Sequence, residues 1–269
     1  MILIGTSGFS YDDWKGFFYP NNCKKSDMLA HYAKQFSVVE INSTYYTIPG
    51  AASFQSMVEK TPSEFKFTVK AHRNITHAES TDLNSLKMFI AAIQPIADNG
   101  KLGCILAQYP WGFKPSEENR SRLYELRENF GELPVVVELR NSEWVKPETF
   151  GLLQKLGLGF CSVDEPDLKG LMPRSAELTS RIGYVRFHGR NNAQWWNHEH
   201  AWQRYDYLYS ADELSEWMPR IQSIASKAEV TYLFFNNHYQ GKAAKNAKML
   251  ADMLSLQLND VIPEQLDLF

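Results

Sequence analysis

"PVVVELRNSEW", residues 134–144, opens as an apolar run of the kind that forms a buried strand and then breaks its own rule. Glu138 and Arg140 sit among the valines and Leu139, although burying an unpaired carboxylate or guanidinium is strongly unfavourable. The fold must therefore give the charged end of this strand somewhere to go. Seven further runs rich in β-branched and aromatic residues lie at 2–6, 38–44, 65–70, 102–108, 158–164, 182–188 and 230–236. Stretches with helical period separate most of them, at 26–36, 82–98, 116–130, 147–156, 211–226 and 242–258. A weaker helix runs from Gly50 to Lys60 and is ended by Pro62, and Ser210 with Glu213 forms a capping-box pattern.

Eight strands alternating with helices, with no linker or low-complexity segment, predict an α/β fold: a single (β/α)₈ barrel of the TIM type over 1–260, followed by a tail at 261–269. The alternative is a doubly wound open sheet. It usually has fewer strands, and no G-x-G-x-x-G follows the first strand here.

The barrel accounts for the charges. Barrel strands alternate their side chains between helix layer and interior, so Val136, Glu138 and Arg140 point inward, with Arg140 at the C-terminal mouth where barrel active sites lie. The same parity sends inward Glu40 and Asn42, Thr68 and Lys70, and Leu106 and Gln108. It also sends inward Ser162 and Asp164, Arg186 and His188, and Phe234 and Asn236. Glu40, Glu138 and Asp164 balance Lys70, Arg140 and Arg186, which suits an internal ion-pair network as well as a binding mouth. Polar residues ending seven strands at one end favour the mouth.

Two loops add to that end. "GRNNAQWWNHEHAWQRYDYLYS", residues 189–210, interleaves Trp195, Trp196, Trp202, Tyr205, Tyr207 and Tyr209 with Arg190, Asn191, Asn192 and Arg204. It reads either as a lid that stacks on a base or sugar ring or as a small apolar cluster under a long loop. The H-x-H pair His198 and His200 is weak as a metal signal. "NNHYQGKAAKNA", residues 236–247, leads into the last helix, and loops in this position often bind phosphate. Gly241, Lys242 and His238 would supply the contacts there; a plain turn with a solvated lysine is the bland alternative.

Composition narrows the classes. The 269 residues are 44% hydrophobic and 22% charged with net charge −3, which excludes gripping nucleic acid by bulk charge, though not by a local patch. Cys23, Cys104 and Cys161 are odd in number and lack C-x-x-C spacing, as expected for reduced thiols of a cytoplasmic protein. No signal-peptide pattern and no apolar run of membrane-span length is expected.

"GTSGFSYDDWKGFFYP", "EINSTYY", "ELRNSEW", "YVRFHGR" and "NNHYQGKAAKNA" together resemble the signatures of the YecE-like family, domain of unknown function 72, over nearly the whole chain and in the same order. The resemblance implies a TIM-barrel-like fold and no established activity. Its shared residues fall on Glu40, Asn42, Tyr45, Glu138, Arg140, Trp144, Arg186, His188, Gly189, Asn236, Asn237 and His238. Such proteins have been likened to endonuclease-type barrels, which crowd His, Asp and Glu at strand ends to hold metals. This chain departs from that pattern by placing Lys70, Gln108, Arg140 and Arg186 there.

The expectation is an enzyme, hydrolase (phosphodiesterase-like) or isomerase, acting on a phosphorylated or anionic ligand such as a nucleotide or nucleic acid. Lys70, Arg140 and Arg186 would hold the anion; Glu138 or Glu40 would act as base, with His188 as acid or second base and Asp164 beside them. Asn42, Tyr45, Gln108, Arg190, Asn236, Asn237 and His238 would complete the ligand contacts. No cofactor is expected; an alternative version holds one metal ion on Glu138, Asp164 and His188. The competing class is a non-catalytic ligand- or nucleic-acid-binding module of DNA repair or replication. The tail "PEQLDLF", residues 263–269, resembles the peptide that docks bacterial repair proteins on the DNA sliding clamp, through Gln265, Leu266, Leu268 and Phe269. The alternative is a tail folded back on the barrel.

Overall fold

The computed structural model describes residues 1–258, so the clamp-docking peptide at Gln265–Phe269 lies outside the described residues. Eight parallel strands form the barrel: β1 (Ile2–Thr6), β2 (Val38–Ile41), β3 (Lys66–Lys70), β4 (Leu102–Gln108), β5 (Val135–Glu138), β6 (Gly159–Asp164), β7 (Ile182–Phe187) and β8 (Val230–Phe235). Their spatial order β1-β8-β7-β6-β5-β4-β3-β2 follows the chain. Around them lie α1 (Met28–Ala33), α2 (Ala51–Glu59), α3 (Arg73–Thr76), α4 (Leu83–Asp98), α5 (Glu117–Phe130), α6 (Pro147–Lys155), α7 (Ala211–Ser215), α8 (Met218–Ala225) and α9 (Lys242–Met253). Among the described residues no helix is long and apolar enough to cross a membrane.

All eight expected strands and all the expected helices form, with one helix divided. The run 211–226 breaks into α7 and α8 because Pro219 has no N–H to continue a helix but is well placed in the first turn of a new one. Trp217, at the joint, is buried. The Ser210–Glu213 capping box forms as expected, with each side chain bonded to the other's backbone N–H.

The seam between β1 and β2 has no continuous ladder. Near the mouth the two are joined where Gly8 N donates to Glu40 O at 2.7 Å. Deeper in, the Tyr32 hydroxyl from α1 fills the gap, accepting from Thr6 N at 2.9 Å and donating to Val38 O at 3.1 Å. Gly5 permits this closeness, since a Cβ there would lie 2.2 Å from Val38 O.

Of the seven strands given an inward parity, the register confirms six and corrects one. Glu40 pairs with Thr68, Gln108 with Glu138, and Arg186 with Phe234, so these share the interior face. In β6, however, Cys161 pairs with Tyr184 and Val163 with Arg186. That turns Cys161 and Val163 inward, and Phe160, Ser162 and Asp164 outward, one residue away from the expected phase. Phe160 meets Phe150 of α6 edge-on at 5.2 Å. The inner position at the end of β6 belongs instead to Glu165.

Tyr32→Phe should strip both seam contacts at once. Each buried backbone group left unsatisfied costs about 1–3 kcal/mol, so urea unfolding is expected to show a loss of at least about 2 kcal/mol. An unchanged midpoint would mean that the seam does not depend on this hydroxyl.

Candidate functional site

Arg186 of β7 lies buried across the barrel, and its position is set by two carboxylates. Its NH1 donates to Glu138 Oε2 at 2.6 Å and its NH2 to Glu40 Oε1 at 2.7 Å. The second oxygen of Glu40 accepts from the Tyr184 hydroxyl at 2.6 Å, which in turn meets Thr68 Oγ1 at 3.0 Å. The second oxygen of Glu138 accepts from Arg140 NH1 at 2.6 Å. Burial alone would raise the Glu138 pKa, but Arg186 and Arg140 outweigh it and hold the carboxyl well below its usual range.

His188 completes the network. Its Nε2 lies 2.6 Å from Arg140 NH1 and 3.2 Å from Glu138 Oε1. A guanidinium can only donate, so Nε2 accepts and the proton sits on Nδ1. Nδ1 lies 3.2 Å from Asn236 Nδ2, and turning that amide over brings its oxygen into position to accept the Nδ1 proton. Burial, reinforced by Arg140, pushes His188 down to about 3. It is a neutral imidazole whose free lone pair is already taken, which withdraws it from the acid role expected from sequence. Glu138, saturated by two guanidinium groups, is a weak base for the same reason.

Above this floor a cavity of about 650 Å³ opens at the mouth. Of the expected ligand contacts, Asn42, Tyr45, Lys70, Gln108, Arg140, Arg186, Asn236 and His238 line it. Sequence reading did not single out Phe9, Tyr11, Tyr46 and Met57, which line it too. Tyr11 stacks flat on His238 with ring centroids 4.8 Å apart; its place within the "GTSGFSYDDW" motif was the available signal. Among the described residues no aspartate or glutamate lines the cavity. Lys70 extends from β3, donates to Gln108 Oε1 at 2.8 Å and lies 4.4 Å above the Tyr45 ring. Burial and then Arg186 lower its pKa to about 8. Glu165, also missed, lies 3.7 Å from Arg140 and is raised by burial to about 7.

Three expected residues lie elsewhere. Asp164 faces the helix layer, where it accepts from Tyr209 OH and Trp217 Nε1, each at 2.7 Å, and from Arg190. Arg190 also pairs with Glu216 and so braces the barrel exterior. Asn237 is buried between Tyr207 O and Asn246 Oδ1. The expected anion site after β8 is filled by the chain itself: Asp13 accepts from Gln240 N at 2.7 Å and Lys242 is paired with Asp206. In the long loop, Trp195 is buried, Trp202 stacks on Tyr239 and Tyr205 reaches the cavity wall. The loop therefore combines a small apolar cluster with a single aromatic at the mouth.

The alternative metal site does not assemble, since Asp164 points away from Glu138 and His188. Among the described residues no group of three or more His, Cys, Asp or Glu side chains is placed to hold a metal ion.

Fold and site define a TIM-type barrel whose C-terminal mouth presents cations over an internally paired carboxylate floor. The sequence matches the family model "Protein of unknown function DUF72" over residues 3–267, and the chain belongs to that family. It is 30% identical to the UPF0759 protein YunF of Bacillus subtilis (strain 168) over the whole of both chains. Among solved structures, the DUF72 family protein TM1631 of Thermotoga maritima MSB8 is similar with a TM-score of 0.88 at 40% identity, covering 95% of this chain and 99% of that one. EF0366 of Enterococcus faecalis V583 is similar with a TM-score of 0.86 at 28% identity, covering 99% and 100%.

Glu138→Gln is expected to act on the fold before any chemistry. Removing one partner of a buried ion network costs about 3–5 kcal/mol, measurable by chemical denaturation, and a loss below about 1 kcal/mol would contradict the clamp. The imidazole adds a pH dependence. Its pKa is lower folded than unfolded, so the unfolded chain binds the extra proton as pH falls from about 6.5 toward 3. Stability should fall over that window by up to about 1.4 kcal/mol per pH unit from this group. Comparing the slope with that of His188→Asn measures it; parallel slopes would remove His188 as the source.

Proposed function

We propose that the chain is an enzyme whose barrel mouth binds a small phosphorylated or otherwise anionic substrate. One observation carries this reading: Lys70, Arg140 and Arg186 line a cavity to which no carboxylate among the described residues contributes. The nearby carboxylates Glu138 and Glu40 are spent on Arg186, Arg140 and Tyr184. Three cations against two carboxylates leave positive charge facing the ligand, and Glu165 near pH 7 offsets it only in part. The hydrogen bonds of Arg140 to the floor run through NH1, so the rest of its planar fork suits a phosphate or carboxylate.

The cavity volume falls within the range of ordinary ligand sites. Its walls of Tyr11, Tyr45, Tyr46 and Tyr205 suit a flat ring or a sugar face, which fits a nucleotide-sized molecule. Glu138 and His188 orient the guanidinium groups, and Lys70 is the group in the cavity equipped to exchange a proton near neutral pH. A binding module without turnover is the second reading, supported by the full engagement of Glu138 and His188.

The test is thermal stabilisation by pyrophosphate, sugar phosphates, nucleotides and short oligonucleotides, each followed by product analysis. At least one anion should raise Tm, and Lys70→Met should weaken its binding by roughly 10–100-fold, the worth of one charged hydrogen bond. Stabilisation that is unaltered by Lys70→Met would remove the cationic mouth as the binding site. Binding without conversion across the panel would favour the module.

A further inference from the structure

We infer that the Lys70 amine forms an imine with a carbonyl carbon of the bound molecule, so that the substrate class is an aldehyde or ketone carrying a phosphate or carboxylate group. This deepens the anion-binding reading and rests on it. Two lysines of the barrel differ sharply in their surroundings. Lys101 is a structural lysine: its ammonium donates to Val58 O, Thr61 O and Thr61 Oγ1 at 2.8, 2.9 and 3.0 Å, one acceptor for each N–H. Lys70 has one such acceptor, Gln108 Oε1, and no carboxylate within ion-pair distance among the described residues. Its other face rests on the Tyr45 ring. Gln108 is itself fixed, because its Nε2 donates to Tyr109 O at 2.6 Å and so turns the amide oxygen toward Nζ.

The surroundings favour the neutral amine. Arg186 from β7, Arg140 after β5 and His77 after α3 are the basic groups facing Lys70, while Glu138 and Glu40 face it from the floor with their oxygens committed to other donors. Partial desolvation of a lysine beside other cations is a recognised way to obtain a nucleophilic amine near neutral pH. Its pKa of about 8 accords with this placement.

The step balances without a cofactor. The ammonium sheds one proton, and the amine nitrogen then attacks the carbonyl carbon, forming the C–N bond as the C=O π pair moves to oxygen. A nitrogen proton passes to that oxygen, and the shed proton completes water as the C–O bond breaks. The net change is ammonium plus carbonyl giving protonated imine plus water. Arg140 holds the substrate's anionic end meanwhile. The protonated imine then draws electrons from a neighbouring C–H or C–C bond, which is the chemistry of isomerisation or carbon–carbon cleavage, and water releases the product by the reverse steps.

Borohydride trapping tests this directly. The full chain is incubated with pyruvate, dihydroxyacetone phosphate or ribose 5-phosphate, reduced with sodium borohydride and mapped by peptide mass spectrometry. At least one probe should leave a secondary-amine adduct on Lys70, enriched at least tenfold over any other lysine and suppressed by excess pyrophosphate. Lys70→Arg should abolish the adduct while keeping the Tm rise given by pyrophosphate, because the cation remains. Pyrophosphate binding with no probe trapped at Lys70 would overturn the imine and leave the anion site standing. Loss of both binding and trapping would overturn the anion site and the imine with it. Adducts spread evenly over the lysines, unchanged in Lys70→Arg, would also overturn the imine.

Discussion

Arg186 held between Glu138 and Glu40 is the interaction on which the rest of the mouth depends. A lone guanidinium inside a barrel would be strongly unfavourable, and so would either carboxylate. Together they join β7 to β5 and β2 across the interior, with contacts of 2.6 and 2.7 Å. A buried network of this kind adds little net stability over a well-packed apolar core, because the ion–ion attraction mainly offsets desolvation. What it does is fix geometry. Arg140 and Tyr184 are each anchored to one of the two carboxylates and His188 to Arg140, and every carboxylate oxygen so engaged is one that no longer faces the cavity.

How much of this was legible follows from the same residues. The fifth strand announced itself because Glu138 and Arg140 alternate with valine and leucine, and that alternation fixes which face is interior. The phase carried correctly to β2, β3, β4, β7 and β8, where Glu40, Lys70, Gln108, Arg186 and Asn236 all reach the site. It failed at β6. "LGFCSVDE" is apolar on both faces and ends in two adjacent acids, so a slip of one residue exchanges Asp164 for Glu165 without violating any local pattern. Only the pairing of Cys161 with Tyr184 and Val163 with Arg186 decides it. Arg190 and Asn237 show a different limit. Both lie in the shared motifs, yet Arg190 pairs with Asp164 and Glu216 outside the barrel and Asn237 tethers the long loop to α9. A motif marks where residue identity is fixed, and packing fixes identity as firmly as chemistry does.

The loop after β8 makes the point for charge. A glycine, a lysine and a helix start look like an anion cradle in sequence. In the fold, the chain supplies the anions, with Asp13 on the Gln240 N–H and Asp206 on Lys242. Partners that are distant in sequence, 227 residues apart in the first case, satisfy groups that look free when read in order. The cavity is distinguished by the opposite condition, since among the described residues its cations retain N–H groups that are not filled.

That distinction also sets how the mouth responds to pH. Glu138 and His188 ionise well below neutrality and keep one charge state through the physiological range. The charge beside the ligand is then governed by two groups, Glu165 at about 7 and Lys70 at about 8. As pH rises, Glu165 gains negative charge next to Arg140 and Lys70 loses its positive charge, so the attraction for an anion weakens in two steps. The proposed nucleophilic attack by Lys70 would require the deprotonated amine and would strengthen over the same interval. On the proposed chemistry the two demands oppose each other, and they would be met together near neutral pH, where Lys70 is partly neutral while Arg140 and Arg186 remain charged to hold the anion. A lysine placed to lose its charge there serves the proposed attack on a carbonyl, whereas anion binding alone would be served as well by a lysine that stays charged.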